Sequence, residues 1–273
     1  MRIERVWALD AALIARAIRA QDGTWGSEGF ELADGRAVLS GPGLYVNRAL
    51  GAGIEEELTD AHLDRLEQRS QAVGVPPAVE VSELTRRSVV DRLTGRGYRN
   101  DSVATAMARS LDERLPEVDP AVEIQLVDDR LLWVWMQTTA VGWGHTTDRA
   151  RRASDAYSRA ASAVDEPGLL LARSADDGRP IGCASLAIRD GVATLGGMST
   201  PPPERGRGVQ GALIVYRLRY AHERGCDVAT TQVVAGGASE RNVLRHGFRP
   251  TDTKTTFELR GADGRVSSDG RDG

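Results

Sequence analysis

Lysine is almost missing from this chain: of 35 Lys and Arg residues, only Lys254 is a lysine. Codon usage in a GC-rich genome accounts for such a bias, but the shortage still excludes chemistry. No Gly-Lys-Ser/Thr phosphate loop exists, and an internal Schiff base has one candidate position. Cysteine is scarce too. Cys183 and Cys226 form no spacing motif, and they are expected as small buried residues in a reducing cytoplasm rather than a disulfide or metal pair. The four histidines, His62, His145, His222 and His246, make no HExxH or similar ligand set, so no metal site is expected. No apolar run is long enough to cross a bilayer, and "MRIERVWALD" lacks the apolar core of a signal peptide, which leaves no expected membrane partner. The net charge is −4 with both signs mixed along the chain; that argues against a dedicated nucleic-acid surface.

What is present is a globular composition, 41% hydrophobic and 27% charged, over 273 residues. This is enough chain for one large core or two ordinary ones. In the second half, "AVEIQLV" alternates as a strand does, and "RLLWVWMQTTAVGWG" and "DRARRASDAYSRAASAV" read as helices. "GLLLARSA" and "PIGCASLAI" read as strands joined through Asp177-Gly178, and Asp190-Gly191 turns the chain into "VATLGGMST". From Gly208 the period becomes helical, with Val209, Leu213, Tyr216 and Tyr220 on one face and a stop at Arg224-Gly225. "DVATTQVV" is a strand, "SERNVLRH" a short helix and "FRPTDTKTTFEL" a closing strand. The tail "GADGRVSSDGRDG" has the composition of a disordered segment.

The first half carries a fainter copy of that order. "LTDAHLDRLEQRSQAVG" reads as a helix with Thr59 as N-cap, Leu58 and Leu63 as a hydrophobic staple and Gly74 as its stop. A strand "AVEVSEL", a helix "RRSVVDRLTGRG" and a strand "YRNDSVATAMAR" follow. "VVDRLTGRGYR" matches "ERNVLRHGFR", with Gly97-Tyr98-Arg99 answering Gly247-Phe248-Arg249. The spacing points to an internal repeat of two related lobes joined near "DERLPEVDP".

Within "PPPERGRGVQGALIVYRLRY", Gly206, Gly208 and Gly211 spell the G-x-G-x-x-G of a dinucleotide-binding turn. The context excludes that reading. Pro201 to Pro203 end the strand too early, Asp227 precedes the next strand instead of following it, and too few residues remain for further strand–helix units. The physics of the turn survives: glycines let backbone approach a phosphate, and the first amides of the following helix lack intrahelical partners. Arg205 and Arg207 add positive charge.

A strand, a Gly-rich loop and a helix entered from antiparallel strands, then a strand and a short helix, resemble the GNAT superfamily of acyl-CoA-dependent N-acyltransferases. The family signature Arg/Gln-x-x-Gly-x-Gly/Ala falls on Arg205, Gly208 and Gln210, with Gln210 departing at the last place. The resemblance runs from Ala121 to Leu259, with "ASERNVLRHGF" as a second landmark. It implies an α+β fold (mixed α/β) of two GNAT-like lobes, each a mostly antiparallel sheet flanked by helices. The lobes are expected at 1–118, degenerate, and 119–261, acyl-CoA-binding, with a disordered tail at 262–273. Glu55, Glu56 and Glu57 stand in the first lobe where the second has Arg205 and Arg207, which leaves one competent site.

The resemblance further implies acetyl-CoA or coenzyme A as co-substrate, with cofactor contacts from Met198, Ser199, Thr200, Arg205, Gly206, Arg207, Gly208, Val209, Gln210, Gly211, Ala212 and Asn242. The strand "DVATTQVV" is expected to splay from its neighbour and bring Thr231, Gln232 and Val233 near the cleft. Trp133, Trp135 and Trp143 border the acceptor region, where core packing competes with a substrate role; Trp133, Trp143 and Gln232 are the substrate candidates. Many family members place an acidic tyrosine where Val243 stands here. Either Ser239, against a capping role, or a water is then the candidate acid, or the thiolate leaves unprotonated; His145 is the candidate base, against an ordinary loop histidine. The implied activity is transfer of an acetyl or other short acyl group to a primary amine of a small molecule in the cytoplasm. A non-catalytic acyl-CoA sensor and a peptide or protein N-acetyltransferase are the alternatives. Monomer and homodimer both stay open.

Overall fold

The computed structural model describes residues 1–111, 114–164 and 166–260; the expected disorder of 262–273 lies outside them. The chain divides into two compact units, Met1–Thr105 with the chain from Asp252 onward, and Ala106–Thr251. Each holds a mixed, mostly antiparallel sheet flanked by helices.

The first unit opens with the long helix α1 (Arg2–Gln21), then β1 (Glu28–Leu32), β2 (Gly35–Leu39) and β3 (Asn47–Leu50). Helix α2 (Asp60–Val73), β4 (Ala78–Val81), α3 (Arg87–Gly95) and β5 (Arg99–Ser110) follow, β5 belonging to the second unit from Ala106. β1, β2 and β3 pair antiparallel, and β3 runs parallel to β4. The second unit contains β6 (Val122–Leu126), α4 (Asp129–Trp143), α5 (Asp148–Val164), β7 (Pro167–Ser174), β8 (Pro180–Arg189) and β9 (Val192–Ser199). It continues with α6 (Val209–Glu223), β10 (Val228–Val233), α7 (Ala238–Arg245) and β11 (Arg249–Glu258). β6, β7, β8 and β9 pair antiparallel and β9 runs parallel to β10. From Asp252, β11 belongs to the first unit, where Thr255–Glu258 pair with β4.

The same connectivity recurs in both units: an antiparallel meander, a helix crossing to a parallel strand, then a short helix. The repeat extends to single hydrogen bonds. The Tyr98 and Phe248 amides donate to Leu93 and Val243, and Gly97 and Gly247 donate to Thr94 and Leu244. At the ends of α2 and α6, Gly74 donates to Gln71 as Gly225 does to His222, and Val75 to Ser70 as Cys226 does to Ala221. Both Tyr98 and Phe248 are fully buried. A glycine at positive φ precedes each of them, 92° at Gly97 and 83° at Gly247, turning the aromatic ring into its own core.

Two separate cores result. Leu32, Leu39, Leu58, Leu63, Leu66, Val79 and Leu93 fill the first. The second is built from Leu170, Leu186, Leu195, Leu213, Ile214 and Leu218. Leu58 and Leu63, the expected staple, are both fully buried, and Thr59 caps α2 as expected. The sole lysine sits in the first unit with Nζ 2.5 Å from Glu4 and 2.8 Å from Asp252. Both contacts are ion pairs of a buried side chain, so the lysine is engaged in structure. Both cysteines are buried and neither is in a disulfide; burial pushes the Cys183 thiol up to about 12, which makes it inert. Among the described residues no helix is long and apolar enough to cross a membrane, and no cluster could hold a metal ion.

Candidate active site

The second unit's parallel pair is short. β10 and β9 are in register at Val228–Val192, Ala229–Ala193 and Thr230–Thr194, and the ladder ends there although both strands continue. One further bond, from Thr231 Oγ1 to the Leu195 carbonyl at 2.9 Å, marks the last contact before the gap. On its other side β9 is bulged. Cys183 pairs with Ser199 and Ser185 with Gly196, which leaves one extra residue in β9. Gly197 takes the positive φ, 55°, that this irregularity needs.

The carbonyl directions follow from these bonds. The Leu195 carbonyl faces β10. The Gly196 carbonyl lies beside that of its β8 partner Ser185, since one nitrogen of the Arg217 guanidinium donates to both, at 3.2 and 3.0 Å. A trans peptide aims its C=O and N–H in opposite directions. The Gly197 N–H is therefore turned toward the β10 side, past the end of the ladder.

After β9, Pro201 leads into a single 3-10 turn at Pro202–Glu204, and the chain then enters α6. Gly206 and Gly208 both have φ 78°. A Cβ on Gly206 would meet nothing within 4 Å, so conformation, and not crowding, requires glycine there. Gly208 is the N-cap of α6, and no side chain caps that helix. The amides of its first turn are left for an external acceptor.

Gly211 has a different reason. Its Cβ would lie 3.3 Å from the His246 ring, so this glycine lets α7 approach α6. Gln210 accepts a hydrogen bond from Asn242, which also accepts one from Arg245 at 3.0 Å. Arg205 is engaged with carbonyls, donating to Thr200 at 3.2 Å and Gly142 at 2.9 Å. It ties the loop to the end of α4. Arg207 is exposed and 3.5 Å from Glu204. The side chains of Val209 and Ala212 are in the core, which leaves only their backbone for the site.

Ser199 and Thr200 are buried, and Ser199 Oγ donates to the Thr139 carbonyl at 3.3 Å. A Cβ on Gly142 would fall 2.0 Å from Ser199 Oγ and 3.0 Å from the Thr200 nitrogen, so α4 abuts the end of β9. Thr200 Oγ1 is buried with no hydrogen-bond partner. Met198 is partly buried and receives an Arg217 N–H on its sulfur at 3.2 Å. Gln232 is half-buried beyond the end of the ladder.

The catalytic candidates are dispersed. Val243 is 2% exposed, in the core, and Ser239 is exposed near the start of α7. Gly237, not Ser239, is the N-cap of α7. His145 follows α4, its Nδ1 buried without a partner. Desolvation holds its pKa below the usual histidine value, opposed by the Asp155 carboxylate. Trp135 is buried, with its indole N–H 3.0 Å from the Leu170 carbonyl, whereas Trp133 and Trp143 are 61% and 49% exposed. Sequence reasoning missed Gly197 and Arg217. The pair Gly196-Gly197 inside a strand pattern was the readable signal for the bulge; nothing in the periodicity distinguished Arg217.

The first unit closes the matching loop. Asp34, in the β1–β2 turn, accepts from three consecutive amides: Gly53 at 2.7 Å, Ile54 at 3.1 Å, and Glu55. Thr59 and His62 form a capping box on α2. Glu55 pairs with Arg5 at 3.0 Å and Glu57 with Arg92 at 2.7 Å. Where the second unit leaves amides open, the first supplies its own anion.

The donor set in the second unit suits the diphosphate and thioester ends of an acyl-CoA. An uncapped helix start, an N–H facing a strand gap and an orphaned buried hydroxyl at the strand's end are its parts. No curated protein matches the chain. A GCN5-related N-acetyltransferase from Kribbella flavida is similar in structure, with TM-score 0.65 and 19% identity over 92% of this chain and 96% of that one. One from Sphaerobacter thermophilus gives 0.60 and 18% over 93% and 94%. A tandem GNAT protein from the clavulanic acid biosynthesis pathway gives 0.60 and 14% over 84% and 79%. These likenesses bear on fold. Residues 128–248 match the family model described as the acetyltransferase (GNAT) family, and that segment is a GNAT acetyltransferase domain.

Proposed function

We propose that the second lobe transfers an acetyl or other short acyl group from acyl-CoA to a primary amine of a small molecule in the cytoplasm. The observation that carries this reading is the contrast between the two loops: one has a side-chain anion and a capped helix, the other has neither. Bound acyl-CoA supplies an activated thioester. The amides from Gly206 to Gln210 and the exposed Arg207 hold its phosphates. The Gly197 N–H, facing the gap, donates to the thioester oxygen as negative charge develops there. Met198, Ser199 and Thr200 contribute backbone along the same edge.

On the acceptor side, Trp133 and Trp143 offer exposed aromatic surface. His145, neutral at physiological pH because burial depresses its pKa, accepts the proton that the amine loses. The first lobe serves as support, with its own loop closed by Asp34.

Calorimetry with CoA and a thiol-release assay with an amine library test the proposal. Gly208→Glu should abolish CoA binding without unfolding the chain, and a like change at Gly53 should leave binding intact. Loss of CoA binding in the second variant would refute the assignment to one lobe. Burial of Val243, where the family's tyrosine acid is expected, favours a second reading, a non-catalytic acyl-CoA sensor. Tight CoA binding with no thiol release for any amine or peptide would support the sensor. Acetylation of peptides alone would make the acceptor a protein.

A further inference from the structure

Arg217 lies in the middle of α6, 1% exposed. Among the described residues no carboxylate pairs with it. Its Nε donates to the Leu213 carbonyl at 3.0 Å, one terminal nitrogen to the Ser185 and Gly196 carbonyls, and the other to the Met198 sulfur. A buried cation with no counter-ion is costly, and its desolvation lowers the pKa to about 9. That leaves it charged at neutral pH. A core position on α6 facing β8 and β9 would be filled at lower cost by methionine or leucine. Structural need alone is a poor explanation.

Its position supplies a better one. The two β9 residues that Arg217 touches, Gly196 and Met198, flank Gly197, the positive-φ residue of the bulge. The carbonyl it binds at Gly196 belongs to the same peptide unit as the Gly197 N–H. A positive charge on the oxygen of a peptide draws electrons from its nitrogen, and the N–H becomes a stronger donor. That N–H faces the gap where β10 leaves β9. Met198 Sδ, a weak acceptor, covers the outer guanidinium nitrogen.

We infer that Arg217 is a positioning residue for acyl transfer: its buried charge fixes the bulged end of β9 and polarises the Gly196–Gly197 peptide toward the thioester oxygen. This rests on reading the gap as the acyl-CoA site. Arg217 does not touch the reacting atoms; it acts through the peptide. The same charge favours the state in which the thioester oxygen is negative over the ground state.

The test compares the wild type with Arg217→Lys, Arg217→Gln and Arg217→Met. Three readouts are taken: CoA affinity by calorimetry, the carbonyl stretch of bound 13C-labelled acetyl-CoA by difference infrared spectroscopy, and the Gly197 amide proton shift in ligand-free protein. The wild type should lower the carbonyl frequency relative to free acetyl-CoA. The lowering should shrink in the order wild type, Arg217→Lys, Arg217→Gln, and the Gly197 amide proton should move upfield in the same order. CoA affinity should change little in variants that fold, because the diphosphate contacts lie elsewhere. Turnover in Arg217→Gln should fall by about tenfold or more, in kcat rather than KM. Equal frequencies and amide shifts in the wild type, Arg217→Lys and Arg217→Gln would overturn the inference, whatever happens to stability. If Arg217→Met fails to fold, the Lys and Gln variants still decide. A wild type that binds CoA without shifting the carbonyl refutes this role alone; one that binds no CoA refutes the site as well.

Discussion

Removal of the Asp34 carboxylate tests the idea that the first lobe's phosphate loop is closed from within. In Asp34→Ala, the amides of Gly53, Ile54 and Glu55 lose their common acceptor. A hydrogen bond to a charged group contributes about 1.5–3 kcal/mol when it cannot be replaced. Asp34 is only half-buried and water replaces part of what is lost, so the three together should cost ~2–4 kcal/mol, not their sum. The loop keeps other anchors: Arg86 donates its backbone N–H to the Gly53 carbonyl at 3.0 Å and its side chain to the Ile54 and Glu55 carbonyls. The loss should therefore be local. Hydrogen exchange at Gly53–Glu55 should accelerate by on the order of 30-fold or more, the equivalent of about 2 kcal/mol. Peptides from the second lobe should exchange as before. CoA binding should stay at one per chain, because Thr59 still caps α2 and Glu55–Glu57 still crowd the loop. Wild-type protection of these three amides in Asp34→Ala would refute the reasoning, since the carboxylate would then be incidental to the loop.

Three further outcomes are expected. Gly142→Ala pushes a methyl group into Ser199 Oγ and the Thr200 backbone; overpacking there should cost about 1–3 kcal/mol in urea denaturation and weaken CoA binding as the end of β9 shifts. Ala33 holds φ 50° in the two-residue β1–β2 turn. Ala33→Gly should relieve that strain and raise stability by roughly 0.5–1 kcal/mol, measurable as a rise in Tm. For His145 the folded-state pKa is depressed, so the unfolded chain binds the extra proton first. Its contribution to stability is complete above the unfolded value of about 6.5 and falls as the pH drops below it. His145→Gln should flatten the pH dependence of stability in that window, and an unchanged curve would show that the ring is solvated in the folded state.

The second lobe was legible almost element by element, because its strands alternate, its turns carry Asp-Gly pairs and its helices have defined stops. Asp190 and Gly191 take the positive φ values, 48° and 69°, that such a turn demands. In the first lobe only the part after Leu58 could be read. α1, β1, β2 and β3 lie in "MRIERVWALD" to "NRAL", where the strands are four or five residues long and their inward side chains are small, as in Ala37 and Ala49. Short strands with small side chains leave little periodicity to detect. Asp34 was invisible for another reason: its partners are backbone amides some twenty residues away, and no side-chain pattern records them. Arg217 sits in a helix whose apolar face is wide, and no spacing sets it apart from the helix's other arginine, Arg219; only the structure places it at 1% exposure.

The glycine stretch shows how one sequence pattern joins two unrelated constraints. Gly206 and Gly208 are needed for backbone conformation, both at φ 78°, and they set the direction in which the α6 amides point. Gly211 has ordinary helical geometry and is needed for space, because His246 lies against it. Alanine substitution separates the two. At Gly208 an alanine would keep its volume tolerable, with Asp119 3.8 Å away as its nearest neighbour, yet the left-handed backbone would cost ~1–2 kcal/mol. The helix start would then relax and CoA affinity should fall. At Gly211 the backbone accepts alanine, and helix propensity favours it by about 1 kcal/mol, so only the 3.3 Å contact with the His246 ring opposes the change. That strain falls on the α6–α7 contact, which Gln210 and Asn242 also hold. Gly211→Ala should therefore shift the exchange of α7 amides with little change in CoA affinity, and Gly208→Ala should do the reverse. A Gly211→Ala variant that lost CoA while α7 stayed protected would mean that the third glycine contacts the ligand after all.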